Sequence, residues 1–190
     1  MDFIEALKKA REGYPPQVRW HVVVTNHNTE YVLNCGSTFA LEKDGNICGL
    51  CKAKGSNITG SDILAIARES GGTKTQAFGR TLFEFYTKNG FRPISWIEFN
   101  PKRCPPDWKP EYGKEPLIFY AYDTAYHPNR KYNNRFFLFL TSTTPCKTEE
   151  DAYYERDEWM YKTEKKRKKQ KRKYQLKIKK QRKENENGNN

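Results

Sequence analysis

The sequence DILAIARESGGTKTQAFGRTLFEFYTKNGF, residues 62–91, decides the fold, because helix and strand signals alternate within it. Its first part, 62–70, has apolar residues at helical spacing and predicts a short helix. Ser61 or Asp62 is the expected N-cap, since either side chain accepts a hydrogen bond from an unpaired backbone N–H group. The helix is expected to end at Gly71, because glycine adopts the left-handed conformation common at helix C-termini.

The rest of this stretch predicts a strand and then a second helix. Residues 73–78 are a brief strand candidate. Residues 80–89 place apolar and aromatic side chains on one helical face and are followed by Gly90, a typical C-terminal stop. Such alternation of helices and strands predicts the α/β class, in which helices cover the faces of a sheet.

Further strand signals extend outward from this stretch and predict a single mixed sheet flanked by helices. Residues 37–42 and 47–52 predict a hairpin, because the intervening Asp44-Gly45 pair favours a tight turn. The other expected elements are a helix over 2–12 and strands over 19–25, 91–99 and 117–122.

The charge of the chain is concentrated towards its C-terminus. The 190 residues include 35 Lys and Arg against 23 Asp and Glu, a net charge of +12. Residues 162–183 contain 14 of the basic residues and one acidic residue, so that 1–161 has a net charge of only +1. No Gly or Pro occurs over 147–183, which predicts a long helix. We therefore expect a domain over 1–146, a charged helical extension over 147–183, and a disordered end over 184–190.

A basic run of this density predicts association with polyanions. Non-specific nucleic acid or the ribosome is the expected partner, because each neutralised phosphate releases a counterion. The candidate contact residues are Lys165, Lys166, Arg167, Lys168, Lys169, Lys171, Arg172 and Lys173. The alternative is a solvated appendage that aids solubility.

Composition argues against membrane and exported classes. The longest apolar runs have four or five residues, against the roughly 18 needed to cross a bilayer. The N-terminus has no basic and apolar signal segment, and the five cysteines are an odd number, as expected for reduced thiols in a cytoplasm.

The Cys48-x-x-Cys51 pair invites a zinc or redox interpretation, which its context does not favour. A zinc ribbon needs a second pair, and Cys104 and Cys146 are isolated in sequence. In a regular strand, residues three apart point to opposite faces, so the two thiols are not expected to meet. The sequence predicts no metal site.

Specific residues resemble a family of phage- and prophage-encoded proteins with a GNAT-like (N-acetyltransferase) fold. The resemblance covers about residues 2–123 and includes the Asp44-Gly45 hairpin. Its most specific part is FYTKNGF, 85–91, which is similar to the family motif where a helix ends on glycine and enters the penultimate strand. Further matching segments are 62–79, 93–96, 99–100, 105–108 and 115–122.

The resemblance implies an enzyme that transfers an acetyl group from acetyl-CoA to an amine acceptor, in the cytoplasm of a bacterial host cell. Tyr86 matches the general acid of many family members. The implied acetyl-CoA loop lacks the family's Gly-x-Gly spacing and leading Arg or Gln, and consists of Lys54, Gly55, Ser56, Asn57, Thr59, Gly60 and Ser61.

Two functional hypotheses follow from these residues. The first is an N-acyltransferase, or a degenerate descendant, that is tethered to polyanions by its basic tail. The second keeps the fold without the chemistry, as a protein that binds nucleic acid or a host protein. In the second case Tyr86 is a core aromatic residue, and the 54–61 loop is a plain strand-to-helix connection.

Overall fold

The computed structural model describes residues 2–19, 29–104, 108–128 and 134–187. The elements in chain order are α1 (Phe3–Glu12), α2 (Pro16–Arg19), β1 (Thr29–Val32), β2 (Thr38–Leu41), β3 (Asn46–Cys51), α3 (Gly60–Glu69), β4 (Lys74–Phe78), α4 (Gly79–Lys88), β5 (Phe91–Ile97), β6 (Leu117–Tyr122), α5 (Arg135–Ser142) and α6 (Glu149–Asn187). Two short 3-10 turns, Pro101–Arg103 and Pro110–Tyr112, lie between β5 and β6.

The strands form one six-stranded mixed sheet in the order β1-β2-β3-β4-β6-β5. Among the six described strands, β3 and β4 are the one parallel pair; they pair at Asn46 with Lys74 and at Ile47 with Thr75, and helix α3 connects them. The predicted α/β class, with a mixed sheet flanked by helices and a long C-terminal helix, is confirmed. Of the strand expected over 19–25, Arg19 ends α2 and the remainder lies outside the described residues.

Helices cover both faces of the sheet, and strand alternation decides which side chains they bury. Ile118 and Tyr120 on β6 pack with Ile63 of α3 and Phe83 of α4, while Phe119 faces the opposite layer. All five side chains are at least 98% buried. Each contributes about 1.5–3 kcal/mol relative to exposure, so this double-sided packing is a main source of stability.

Residues 135–142 form a helix, α5, where the sequence indicates only an apolar run. Its Phe136 ring meets the Phe83 ring edge-on, with centroids 5.5 Å apart. Arg135 forms an ion pair with Glu84 of α4. Helix α5 therefore joins the layer that contains α3 and α4.

The β2–β3 hairpin corrects one expectation about the cysteines. Thr38 lies opposite Cys51 and Ala40 opposite Cys48, so three steps along β3 match two along β2. Gly49 lies within this irregularity and has a φ of +58°. Glycine adopts this left-handed conformation without the strain that a side chain would cause. The bulge reverses the alternation, and both cysteines are buried in one cluster beneath α1. The prediction that they point to opposite faces is therefore wrong.

The first half of α6 is packed on the sheet. Ser95 of β5 donates a hydrogen bond to the Ala152 carbonyl at 2.7 Å, and the Phe119 and Tyr153 rings meet at 4.8 Å between centroids. Arg156 is 1% exposed. The folded unit thus includes residues beyond the boundary expected at 146. The disordered end was expected over 184–190, but α6 continues through Asn187, so 184–187 are helical. Residues 188–190 lie outside the described residues, and their disorder stays a prediction.

Candidate functional site

The start of helix α3 is closed by its own side chains. Thr59, not Ser61 or Asp62, is the N-cap, and its hydroxyl accepts a hydrogen bond from the Asp62 backbone N–H at 3.2 Å. In return, Asp62 Oδ2 accepts bonds from the Thr59 N–H and hydroxyl, both at 2.7 Å. This reciprocal arrangement is a capping box. The expected cap was misplaced because the helix begins at Gly60, two residues earlier than predicted.

The capping box affects the expected acetyl-CoA loop. A helix N-terminus attracts anions because its backbone N–H groups and dipole are positive there. Here the Asp62 carboxylate occupies this position, and hydrogen bonds from Thr59 hold its pKa below the usual value. The α3 terminus is therefore already supplied with a negative charge that would oppose a pyrophosphate.

The remaining loop residues form a turn on the surface between β3 and α3. Lys54, Gly55 and Asn57 are exposed, and Ser56 Oγ accepts a hydrogen bond from the Ile58 N–H at 3.3 Å. Gly60 approaches the Phe85 ring so closely that a Cβ there would lie 3.2 Å from it. The seven predicted residues thus stay together as one short segment.

Tyr86, the expected general acid, lies in the core. Its ring contacts those of Phe85, Phe91 and Tyr120, with centroids 5.1–5.7 Å apart. Burial raises the pKa of Tyr86 to about 12, and Thr75 is its side-chain hydrogen-bond partner. Thr75 itself donates to the Ile47 carbonyl at 2.9 Å, so its oxygen is available to accept the tyrosine proton. The hydroxyl is protonated and directed to the place where β3 and β4 pair.

The predicted basic contact residues lie along the middle of α6. Arg167 forms an ion pair with Asp123, and Lys168 with Glu164 at 2.6 Å. Among the described residues, the other six have no carboxylate partner and are exposed: Lys165, Lys166, Lys169, Lys171, Arg172 and Lys173. These side chains are carried by a continuous helix. An α-helix rises about 1.5 Å per residue, so 168–187 extends roughly 30 Å.

Among the described residues, the contact furthest along α6 that holds it to the domain is the ion pair between Arg167 and Asp123, which directly follows β6. Its carboxylate, 4% exposed, accepts a bond from Arg92 Nε at 2.9 Å and pairs with Arg167. Arg92 also lies over the rings of Tyr126 and Trp159, at 4.7 and 5.6 Å from their centroids. Sequence reasoning missed this cluster because its members are far apart along the chain, and no local spacing brings an isolated Asp to notice.

Asp123→Asn is expected to destabilise the protein at neutral pH by about 2 kcal/mol, since two charge-assisted bonds are weakened. Burial alone would raise the pKa of Asp123. The hydrogen bonds that it accepts from the Ala125 N–H and Arg92, together with the positive charges of Arg92 and Arg167, outweigh burial, so the pKa of Asp123 is lowered overall. Because the pKa of Asp123 is lower in the folded than in the unfolded chain, its contribution to stability is fully present at a pH above the unfolded-state pKa. This contribution is lost as the pH falls below about 4.

Urea unfolding of both chains across pH 3–7 checks this expectation. The difference between wild type and Asp123→Asn should narrow as the pH falls. A difference that is constant over this range would show that the carboxylate charge does not hold α6.

Other candidate chemistry finds no support in the part of the chain that the structure describes. No three His, Cys, Asp or Glu side chains come together there in a way that would hold a metal ion. Burial raises the pKa of the Cys51 thiol to about 11, so it is protonated at neutral pH. Among the described helices, none is both long and apolar enough to cross a bilayer.

Comparison with known proteins gives no family assignment. No family model matches the chain, and no curated protein and no solved structure matches it either.

Proposed function

We propose that this chain is a nucleic-acid-binding protein in which a small α/β domain holds a basic helix out from its surface. The observation that supports this most directly is a set of eight exposed cations in the described part of α6 that have no carboxylate partner: the six named above, Lys177 and Lys179. Phosphate groups are the natural counterpart of such a set, because Lys and Arg displace condensed counterions from nucleic acid.

The way in which the helix is held favours a binding surface over a solvated appendage. Arg156 is buried at the start of the helix, and Arg167 reaches Asp123 eleven residues later. The cations that follow are therefore presented from a fixed direction, and less conformational entropy is lost on binding than with a disordered tail. A tail that serves only solubility has no need of this anchoring.

A chain that ends at Arg167 is expected to bind duplex DNA at least about a hundredfold more weakly than the full chain at low salt, because most phosphate contacts are removed. Fluorescence anisotropy with a labelled duplex measures both affinities. Lys8→Gln with Lys9→Gln, on exposed positions of α1, is the matched control and should bind like wild type. Equal affinity of the full and shortened chains would refute the proposal.

A second candidate function, N-acyl transfer on a GNAT-like fold, is supported by the β3–β4 junction. The two parallel strands pair at only two positions, and α3 follows β3 directly after the loop. The Tyr86 hydroxyl is directed to Thr75 at this junction, and on this candidate it is the general acid. On this candidate, Lys54, Gly55, Ser56, Asn57, Thr59, Gly60 and Ser61 bind acetyl-CoA, and the acceptor is an amine.

The capping box is the feature that ranks this candidate second, and calorimetry tests it. We expect no heat when the full chain is titrated with acetyl-CoA up to about 1 mM, because Asp62 places a negative charge where the pyrophosphate would bind. Tyr86→Phe and Gly60→Glu are titrated in parallel. Heat in wild type that disappears in Gly60→Glu would favour the acyltransferase instead.

A further inference from the structure

The face of α6 that packs on the domain continues, past the edge of the domain, as an uncharged stripe. In the packed half this face includes Ala152, Arg156 and Thr163, spaced by whole helical turns. The same helical direction beyond Arg167 leads to Gln170, Tyr174, Ile178 and Gln181. These four residues are what we call the uncharged stripe.

The uncharged stripe differs in chemistry from the rest of the projecting helix. Its members follow one another at intervals of four, four and three residues and so lie along one line of an α-helix. Lys171 borders the line on one side and Lys177 on the other. Tyr174 is 66% exposed, so its ring is available to a partner. The helix thus has one neutral line between two basic flanks.

We infer that the partner of this helix is double-stranded DNA, with the helix in the major groove and the uncharged stripe directed to the base edges. The inference rests on the proposed function. An α-helix with its side chains is about 10–12 Å across, and the B-DNA major groove is about 12 Å wide. A helix lying in this groove has phosphates on both sides and bases in front, which is the order of charges around α6.

The side chains of the uncharged stripe suit base edges. Glutamine makes paired hydrogen bonds to the N6 and N7 positions of adenine, and apolar side chains contact the thymine methyl group. Gln170 and Gln181 supply the first chemistry and Ile178 the second. The stripe extends roughly 16 Å, or about five base pairs, along the groove.

Duplex RNA is a poorer counterpart for the same surface. The major groove of A-form RNA is deep and narrow, so a helix cannot reach the base edges there. Phosphate contacts alone would not distinguish the two duplexes. A preference for DNA is therefore the sign that the helix enters the groove.

The experiment uses the full chain with mixed-sequence DNA and RNA duplexes of one sequence. Anisotropy is expected to show at least about tenfold tighter binding to DNA. At saturation, the bound protein is expected to protect guanine N7, in the major groove, from methylation by dimethyl sulfate. Adenine N3, in the minor groove, is expected to stay reactive. The triple variant Gln170→Ala, Tyr174→Ala, Ile178→Ala should lose N7 protection and about tenfold in affinity.

Leu176→Ala, an exposed residue on the opposite side of the helix, is the matched control and should behave as wild type. Equal binding of DNA and RNA without N7 protection would overturn this inference and leave the proposed function standing. Absence of binding to either duplex would overturn both. Sedimentation as a dimer that the triple variant abolishes would make the uncharged stripe a protein interface and also overturn the inference.

Discussion

Replacing Arg156 with alanine is expected to lower the free energy of unfolding by about 3–5 kcal/mol, because a fully buried side chain and its charge-assisted hydrogen bonds are both lost. Arg156 Nη1 donates to Asn46 Oδ1 at 3.2 Å, and Nε donates to Asp157 Oδ1 at 3.0 Å. Asn46 is 1% exposed, and its amide nitrogen has no hydrogen-bond partner among the described residues. The substitution would leave its oxygen unpaired too.

The loss would spread because Arg156 belongs to a longer chain of charges. Asp157 also accepts a bond from Lys74 at 2.9 Å, and Lys74, 5% exposed, pairs with Asp44 at 2.7 Å. These contacts join α6 to the start of β4 and to the β2–β3 turn. A buried Lys is costly without its carboxylates, so loosening α6 would disturb the strand that carries it.

Chemical denaturation of the full chain measures the effect. Tyr154→Ala, two residues away on the same helix and 68% exposed, is the control and should change the free energy of unfolding by less than about 0.5 kcal/mol. If Arg156→Ala and Tyr154→Ala gave the same small change, the first half of α6 would not be part of the folded unit.

Local sequence signals predict much of this fold, since they act within a few residues. The turn at Asp44-Gly45 separates β2 from β3, and glycines follow the ends of α3 and α4. The observed ends of these four elements lie within one or two residues of the predicted ones. The face of each cysteine was not predictable, because the bulge at Gly49 depends on pairing between strands and not on spacing within one. Alternation assumes a regular strand, which β3 is not.

The candidate site was predicted unevenly for a similar reason. The basic run of α6 is visible in composition, because charge density needs no tertiary information. Its anchoring by Asp123 and Arg156 is not visible, since these partners lie 44 and 110 residues from the groups that they bind. Likewise, the segment before α3 reads as a polar loop, and only the geometry of Thr59 and Asp62 shows that its anion site is already filled.

The affinity of the full chain for duplex DNA is expected to fall about a thousandfold between roughly 50 and 200 mM salt. The reason is the set of eight exposed cations, seven lysines and one arginine, that have no carboxylate partner in the described part of α6. If about six of them each neutralise one phosphate, the slope of log affinity against log salt is about −5. Lys168 and Arg167 are expected to add little, because each already has a carboxylate partner.

This salt dependence tests the central claim most directly, since binding by apolar contacts or by a folded pocket would be much less sensitive to counterions. The measurement is the dissociation constant of the full chain with a labelled duplex, by anisotropy, at several salt concentrations within this range. A fall of about a thousandfold is predicted for the full chain. A change below about threefold would show that few phosphates are neutralised, and would contradict the assignment of the basic half of α6 as a nucleic-acid-binding surface.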